Sequence, residues 1–450
     1  MLTGGFSLPI QLSDHFNTRR LLRFAMPSII MMIFLSIYTV VDGIFVSNLT
    51  GPTPFAALNL VWPFIQILSG FGFIIGTGGS ALVAYRLGQG KKELANQTFS
   101  LLIITVILLS GVLSALGEAL LPRVIWLMGS DEAMFPYAMT YGRIMLAGLI
   151  PFTLQNAFQS FLVTAERPRM GLRVTVAAGL TNIVLDYLFM GPLHMGIAGA
   201  ALGTVLSQCV GGFIPLVFFL LPNKTPLRIG RTRYDGPALR KTFWNGSSEF
   251  VTNIAMSLVG MFYNWQLMRY IGEDGVNAYG ILIYVSFIFV AIFLGYSMGT
   301  APIVSFHYGA QNYDEMKNLF RKSLTFLAVT SVTMLVLAQA LAVPLSKVCV
   351  GYDEGLTRLT THAFQVYSFS FLLAGFNIYG SHFFTALGNG KISALLSFLR
   401  TLVFETGCVF LLPVFFDVEG IWMALPVAET LALCVTASFL IRERRVYHYA

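Results

Sequence analysis

The sequence predicts an all-α integral membrane protein, with twelve transmembrane helices in two six-helix lobes related by internal duplication. Three observations predict it. Of 450 residues, 56% are hydrophobic and only 11% charged, with a mean hydropathy of +0.73, whereas soluble globular chains carry about 25% charged residues. Too few polar side chains exist to cover a water-facing surface, so the solvent around the chain is lipid. Apolar runs recur along the chain, most close to the roughly 20 residues a helix needs to cross the hydrocarbon core. The two halves also repeat each other at a nearly constant spacing.

The runs fall near residues 24–47, 55–77, 97–117, 136–162, 173–190, 197–221, 247–269, 278–300, 323–343, 362–386, 393–414 and 421–440. They are too long and too uniformly apolar for the alternating strands of a barrel. The first twenty residues hold Asp14, His15, Arg19 and Arg20 and no signal-like apolar core, so the first run is expected to be retained. With the N-terminus placed inside, 23 of the 28 basic residues fall on inner segments. That bias predicts both termini cytoplasmic. It also accounts for the net charge of +7 without nucleic acid as a partner. The longest inner connection, Pro222 to Phe243, is polar, basic and Pro/Gly-containing. It reads as a linker, residues 222–243, between an N-terminal lobe, 1–221, and a C-terminal lobe, 244–450.

The repeat supports that division. GQGKKELANQTF at Gly88 faces GAQNYDEMKNLF at Gly309, and Thr164-Ala165 faces Thr385-Ala386. Both pairs are separated by the same offset along the chain. Six helices per half is an even number, so the halves share one orientation and are related by an axis along the membrane normal, with a central site between them.

Several chemistries have no signal. No phosphate cradle of the GxxxxGK[ST] type is present; the nearest stretch, GNGKIS at Gly388, lacks the first glycine and the hydroxyl. There is no nucleophile elbow and no HExxH, and no two of the six histidines sit at i, i+4. Cys209, Cys349, Cys408 and Cys434 lie far apart and show neither metal nor disulfide spacing. A catalyst is not expected, nor is a cofactor. What remains is a carrier driven by an ion gradient, or a channel.

Five acids lie inside apolar runs: Asp42, Asp186, Glu249, Glu405 and Glu429. A carboxylate there is costly and is a functional candidate by default. Asp42 shares a helical face with Tyr38, and Asp186 shares one with Asn182, at i−4 in both cases. Asp42 reads as a proton or cation site facing a cavity, and Asn182 with Asp186 as a pair that could bind a cation through oxygens or hold a proton. The competing reading of Asp186 is a helix-end cap near Gly191. Glu249 reads first as an early helical acid suited to the helix dipole, after a start at Ser247 or Ser248. Glu405, which follows Arg400 closely in sequence, reads as its ion-pair partner. Glu249 and Glu429, with Tyr38, Gln155 and Gln159, are the candidate substrate-cavity residues. The acids outnumber the in-membrane cations Arg143 and Arg400, which favours a cationic cargo, with aromatic and Met side chains to receive it.

FAMPSII in the first run, YTVVDGIFVS around Asp42, GTGGSALVAYRLGQGKKE after the second, NIVLDYLF in the fifth and GTAPIVSFHYGAQNYDE after the eighth carry a likeness. The chain resembles the multidrug and toxic compound extrusion (MATE) family over roughly Phe24 to Leu440. Phe384 to Arg400 resembles the bacterial branch with the Staphylococcus-type exporter. The resemblance implies a secondary antiporter in a bacterial inner membrane, exchanging protons or sodium for small organic cations by alternating access. It implies that an Asp on helix 1 and an Asn/Asp pair on helix 5 are functional, here Asp42, Asn182 and Asp186. Another branch uses a carboxylate on helix 7; its place by the repeat falls near Met261, where this chain has none. A lipid-linked precursor flippase of the same superfamily is the alternative, and a monomer in membrane lipid is the expected state.

Overall fold

The computed structural model describes residues 10–351 and 353–450, and every regular element among them is helical. Lipid offers no hydrogen bonds, so a spanning segment must satisfy its own backbone, which a helix does. In chain order the rods are α1 (Thr18–Thr50), α2 (Pro52–Gly88), α3 (Lys92–Leu127), α4 (Phe135–Ala147 and Leu149–Thr164), α5 (Pro168–Met190) and α6 (Gly196–Leu220). After a non-helical connection come α7 (Gly236–Tyr270), α8 (Glu273–Gly309), α9 (Tyr313–Val350) and α10 (354–386). A left-handed residue, Asp417, divides the remaining helix into α11 (390–416) and α12 (418–447). Among the described residues, six rods thus precede the basic connection and six follow it.

Hydropathy alone finds eight of these segments, or nine if the two parts of α4, bent by 57°, count as one span. The last of the eight is α11 and α12 read as one. The two that hydropathy misses, α7 and α10, carry more polar residues. Helix starts are set by caps: Asn17, Asp235, Asn312, Asp353 and Asn389 each accept a backbone N–H from the first turn. α7 begins at Gly236 under its Asp235 cap, well ahead of the apolar run at 247. This removes the expected reason for Glu249, which lies deep inside the helix rather than near its start.

The lobes meet at the end that carries the basic loops, and they do so symmetrically. A Cβ at Gly88 of α2 would overlap the Phe306 carbonyl of α8, and one at Gly309 of α8 would overlap the Tyr85 carbonyl of α2. Both members of the second contact are the repeat counterparts of the first. The same holds for α2 on α7 and α8 on α1: a Cβ at Gly78 would lie 3.0 Å from Gly246 Cα, and one at Gly299 would lie 3.1 Å from Ala25 Cα. Duplication is therefore built into the interface as well as the sequence, and small residues let the backbones touch. Gly309→Ala is expected to lower stability by about 1–3 kcal/mol through overpacking. Gly260→Ala, with open space around it, should be neutral or gain up to about 1 kcal/mol of helix propensity. Thermal unfolding in detergent checks both; equal midpoints for Gly309→Ala and the unaltered chain would count against a tight contact there.

The chain before α1 crosses this closed end. Leu12 N–H donates to Glu166 Oε1 (2.7 Å), in the turn after α4. Phe16 N–H donates to Glu315 Oε1 on α9 (2.9 Å), and Lys322 Nζ donates to the Phe16 carbonyl (2.6 Å). Leu12 and Phe16 are both buried, so this short stretch ties one lobe to the other. Burial pushes the Glu166 carboxyl above the ordinary carboxylate range, and the Leu12 N–H pulls it back.

Candidate functional site

Each lobe holds a cavity. The first, about 420 Å³, lies among α1, α2, α4, α5 and α6. Asp42 and Tyr38 of α1 form one wall, and Gln155, Asn156 and Gln159 of α4 form another. Asn182 and Asp186 stand directly behind Asp42, 0% and 1% exposed. The Asp42 and Asp186 carboxyl groups lie near each other, and neither Asp186 oxygen has a hydrogen-bond partner among the described residues. Ser207 of α6, which donates to the Thr204 carbonyl (2.7 Å), lines the same cavity as Tyr38. The i, i+4 spacings that grouped Tyr38 with Asp42 and Asn182 with Asp186 hold, because both pairs lie in regular helix.

Local sequence explains how a carboxylate fits so deep. Asp186 packs against Gly203 of α6, where any Cβ would overlap its Oδ1. Gly211, further along the same helix, makes the same room for Gln155: a Cβ there would lie 2.5 Å from its Cδ. Asp186 is thus held against a neighbouring helix and is not a cap at the helix end.

The cluster's chemistry lies in what its oxygens lack. Asp42 Oδ1, both Asp186 oxygens, and the carbonyl oxygens of Asn182, Gln155 and Gln208 are buried without a hydrogen-bond partner among the described residues. The Asn182 amide nitrogen donates instead to Thr204 Oγ1 (3.5 Å). Buried acceptors without donors are costly. They are relieved by a species that brings positive charge or a proton. An oxygen-only set also suits a hard cation, so Asp42, Asn182 and Asp186 fit a sodium ion as well as a proton.

The second cavity, about 320 Å³, lies among α7, α8, α10, α11 and α12. The substrate-cavity candidates are therefore divided: Tyr38, Gln155 and Gln159 line the first space, Glu249 and Glu429 the second. Met32 of α1 borders both. Glu429, 1% exposed, receives Arg400 through Nε (2.9 Å) and a terminal nitrogen (2.6 Å), and the Asn377 amide at 2.6 Å. This overturns the expected Arg400–Glu405 pair. Residues 398–405 wind as a π-helix, and Arg400 reaches across to α12. Glu249 is also paired, with His382 at 3.1 Å. His382 Nδ1 faces the Ile378 carbonyl at 3.0 Å, which can only accept, so Nδ1 carries a hydrogen. No sequence signal linked Glu249 of α7 to His382 of α10, which are far apart along the chain.

The family model described as MatE matches two stretches, residues 27–188 and 250–409, one in each half of the repeat. The multidrug export protein MepA of Staphylococcus haemolyticus is 22% identical over 95% of this chain and 94% of its own length. MepA of Staphylococcus aureus is 21% identical, over 94% and 93%. Among solved structures, the outward-facing conformation of a multidrug resistance MATE family transporter of the MOP superfamily superposes with a TM-score of 0.92. It is 21% identical and covers 99% of each chain. With one family model matched in both lobes and spanning most of the sequence, the chain belongs to the MatE family.

Proposed function

We propose that the protein is a secondary antiporter that exports small organic cations in exchange for protons or sodium ions. The observation that carries this reading is the acceptor-only cluster of Asp42, Asn182 and Asp186 behind one cavity wall. Two carboxylates that close repel when both are charged, and an entering cation removes the repulsion. Charged, the pair favours a wet, open cavity; neutralised, it lets α1 and α5 pack together. An ion and a cargo that bind the two states unequally become linked through that equilibrium.

The lobes, 1–221 and 244–450 with the 222–243 linker between them, act as the two moving bodies. The end closed by Gly88 and Gly309 is taken as cytoplasmic, following the basic loops, so the present arrangement is outward-facing. The membrane is a bacterial plasma membrane, the working unit a monomer surrounded by lipid, and no cofactor takes part. The named relatives, multidrug export proteins, support a drug-like cargo. The membrane potential contributes about 2.3 kcal/mol per charge per 100 mV, in proportion to the net charge moved.

Proteoliposomes given a fluorescent organic cation test this. A proton or sodium gradient, imposed alone, is expected to drive uphill movement of the dye. If neither gradient does so while a lipid-linked precursor is moved between leaflets, the protein is a flippase of the same superfamily instead.

A further inference from the structure

Three acids border the second cavity, and two are spoken for. Glu429 is held by Arg400 and Asn377, and Glu249 by His382. Glu405 makes no hydrogen bond and no ion pair among the described residues; it lines the cavity beside Arg400, whose hydrogen bonds go to Glu429. The space thus keeps one carboxyl group without a bonded cation. Around it stand Tyr279, Tyr367, Phe371 and Met256. Two further groups point to a ligand. Ser286 and Ser370 line the cavity, 5% and 0% exposed, and both hydroxyl oxygens lack a partner. An anion and aromatic faces suit an organic ammonium or phosphonium ion, and the free hydroxyl oxygens can also accept from a protonated amine.

We propose that the organic-cation cargo binds in this second cavity, with Glu405 as its counter-ion. The proposal rests on the antiporter reading and deepens it: the exchanged ion and the cargo occupy different lobes. α1, whose Met32 borders both spaces, is the element through which each senses the other. The Arg400–Glu429 pair keeps the guanidinium hydrogen bonds on Glu429, so Glu405 is left without a bonded partner. Cargo without positive charge gains nothing from Glu405, which sets the selectivity.

Equilibrium binding of tetraphenylphosphonium to the purified full-length protein in detergent tests the assignment. Glu405→Gln is expected to weaken binding about tenfold or more, a loss of one charge contact worth about 1.4 kcal/mol or more. Glu405→Asp keeps the charge and is expected to stay within about threefold of the unaltered protein, which separates loss of charge from loss of fold. Asp42→Asn serves as the contrast. If Asp42→Asn weakens binding about tenfold and Glu405→Gln does not, the cargo sits in the first cavity and the proposal fails while the antiporter reading stands. If the unaltered protein binds no tetraphenylphosphonium yet a gradient still drives uphill dye movement, the second-cavity site fails alone. If neither binding nor driven movement occurs, both fail.

Discussion

Asp42→Asn is expected to abolish gradient-driven accumulation of organic cation, cutting the initial rate at least about a hundredfold, a loss of roughly 2.7 kcal/mol of coupling. Asp186→Asn is expected to do the same, and the double variant no more than either, because groups that act as one unit do not add. The reason is geometric. The two carboxyls lie near each other and Asp186 has no hydrogen-bond partner among the described residues, so neither alone binds a cation as the pair does. Thermal stability should move the other way. Asp186 is 1% exposed with both oxygens unpartnered, and an unpaired buried charge costs energy that Asn does not incur. Equal or raised unfolding midpoints with lost uptake would therefore locate the defect in function, not folding. Uptake above half the normal rate in either single variant would end the coupling role assigned to these residues.

The parts of this molecule legible in the sequence are those that depend on lipid. The apolar runs fall within the rods, and the constant repeat spacing matches the symmetry of the Gly88 and Gly309 contacts, though not the contacts themselves. Parts that depend on one helix touching another were less legible. α7 begins well before its apolar run, because its polar first turns face α2 and not lipid. The reading of Glu249 as a helix-start acid failed for that reason. Arg400 and Glu405 were paired on proximity in sequence, but a π-helical stretch leaves Glu405 on the cavity and sends Arg400 to α12. Asn182 and Asp186 could be paired in advance because they share a helical face, and the family resemblance joins Asp42 to them. That Asp186 would be buried against α6 depended on Gly203, a residue with no side chain to signal it.

Arg400→Leu is expected to be the most destabilising single change in the second lobe, by about 3–5 kcal/mol, because it strands a buried carboxylate. Glu429 is 1% exposed and reached by both Arg400 nitrogens. Asn377 alone, as a neutral donor, does not balance its charge. Replacing both partners, Arg400→Leu with Glu429→Leu, removes the stranded charge and is expected to return most of the lost stability, since an apolar pair of similar volume in place of a buried ion pair is often neutral. Thermal unfolding of the four proteins in detergent yields the cycle. A single-variant loss below about 1 kcal/mol would mean the pair is screened as surface pairs are, against its burial. The double variant bears on function as well. Without Arg400 nearby, the charge of Glu405 is felt undiluted, so a stable double variant should bind tetraphenylphosphonium at least as tightly as the unaltered protein. Weaker binding would show that the Arg400–Glu429 pair shapes the pocket wall itself.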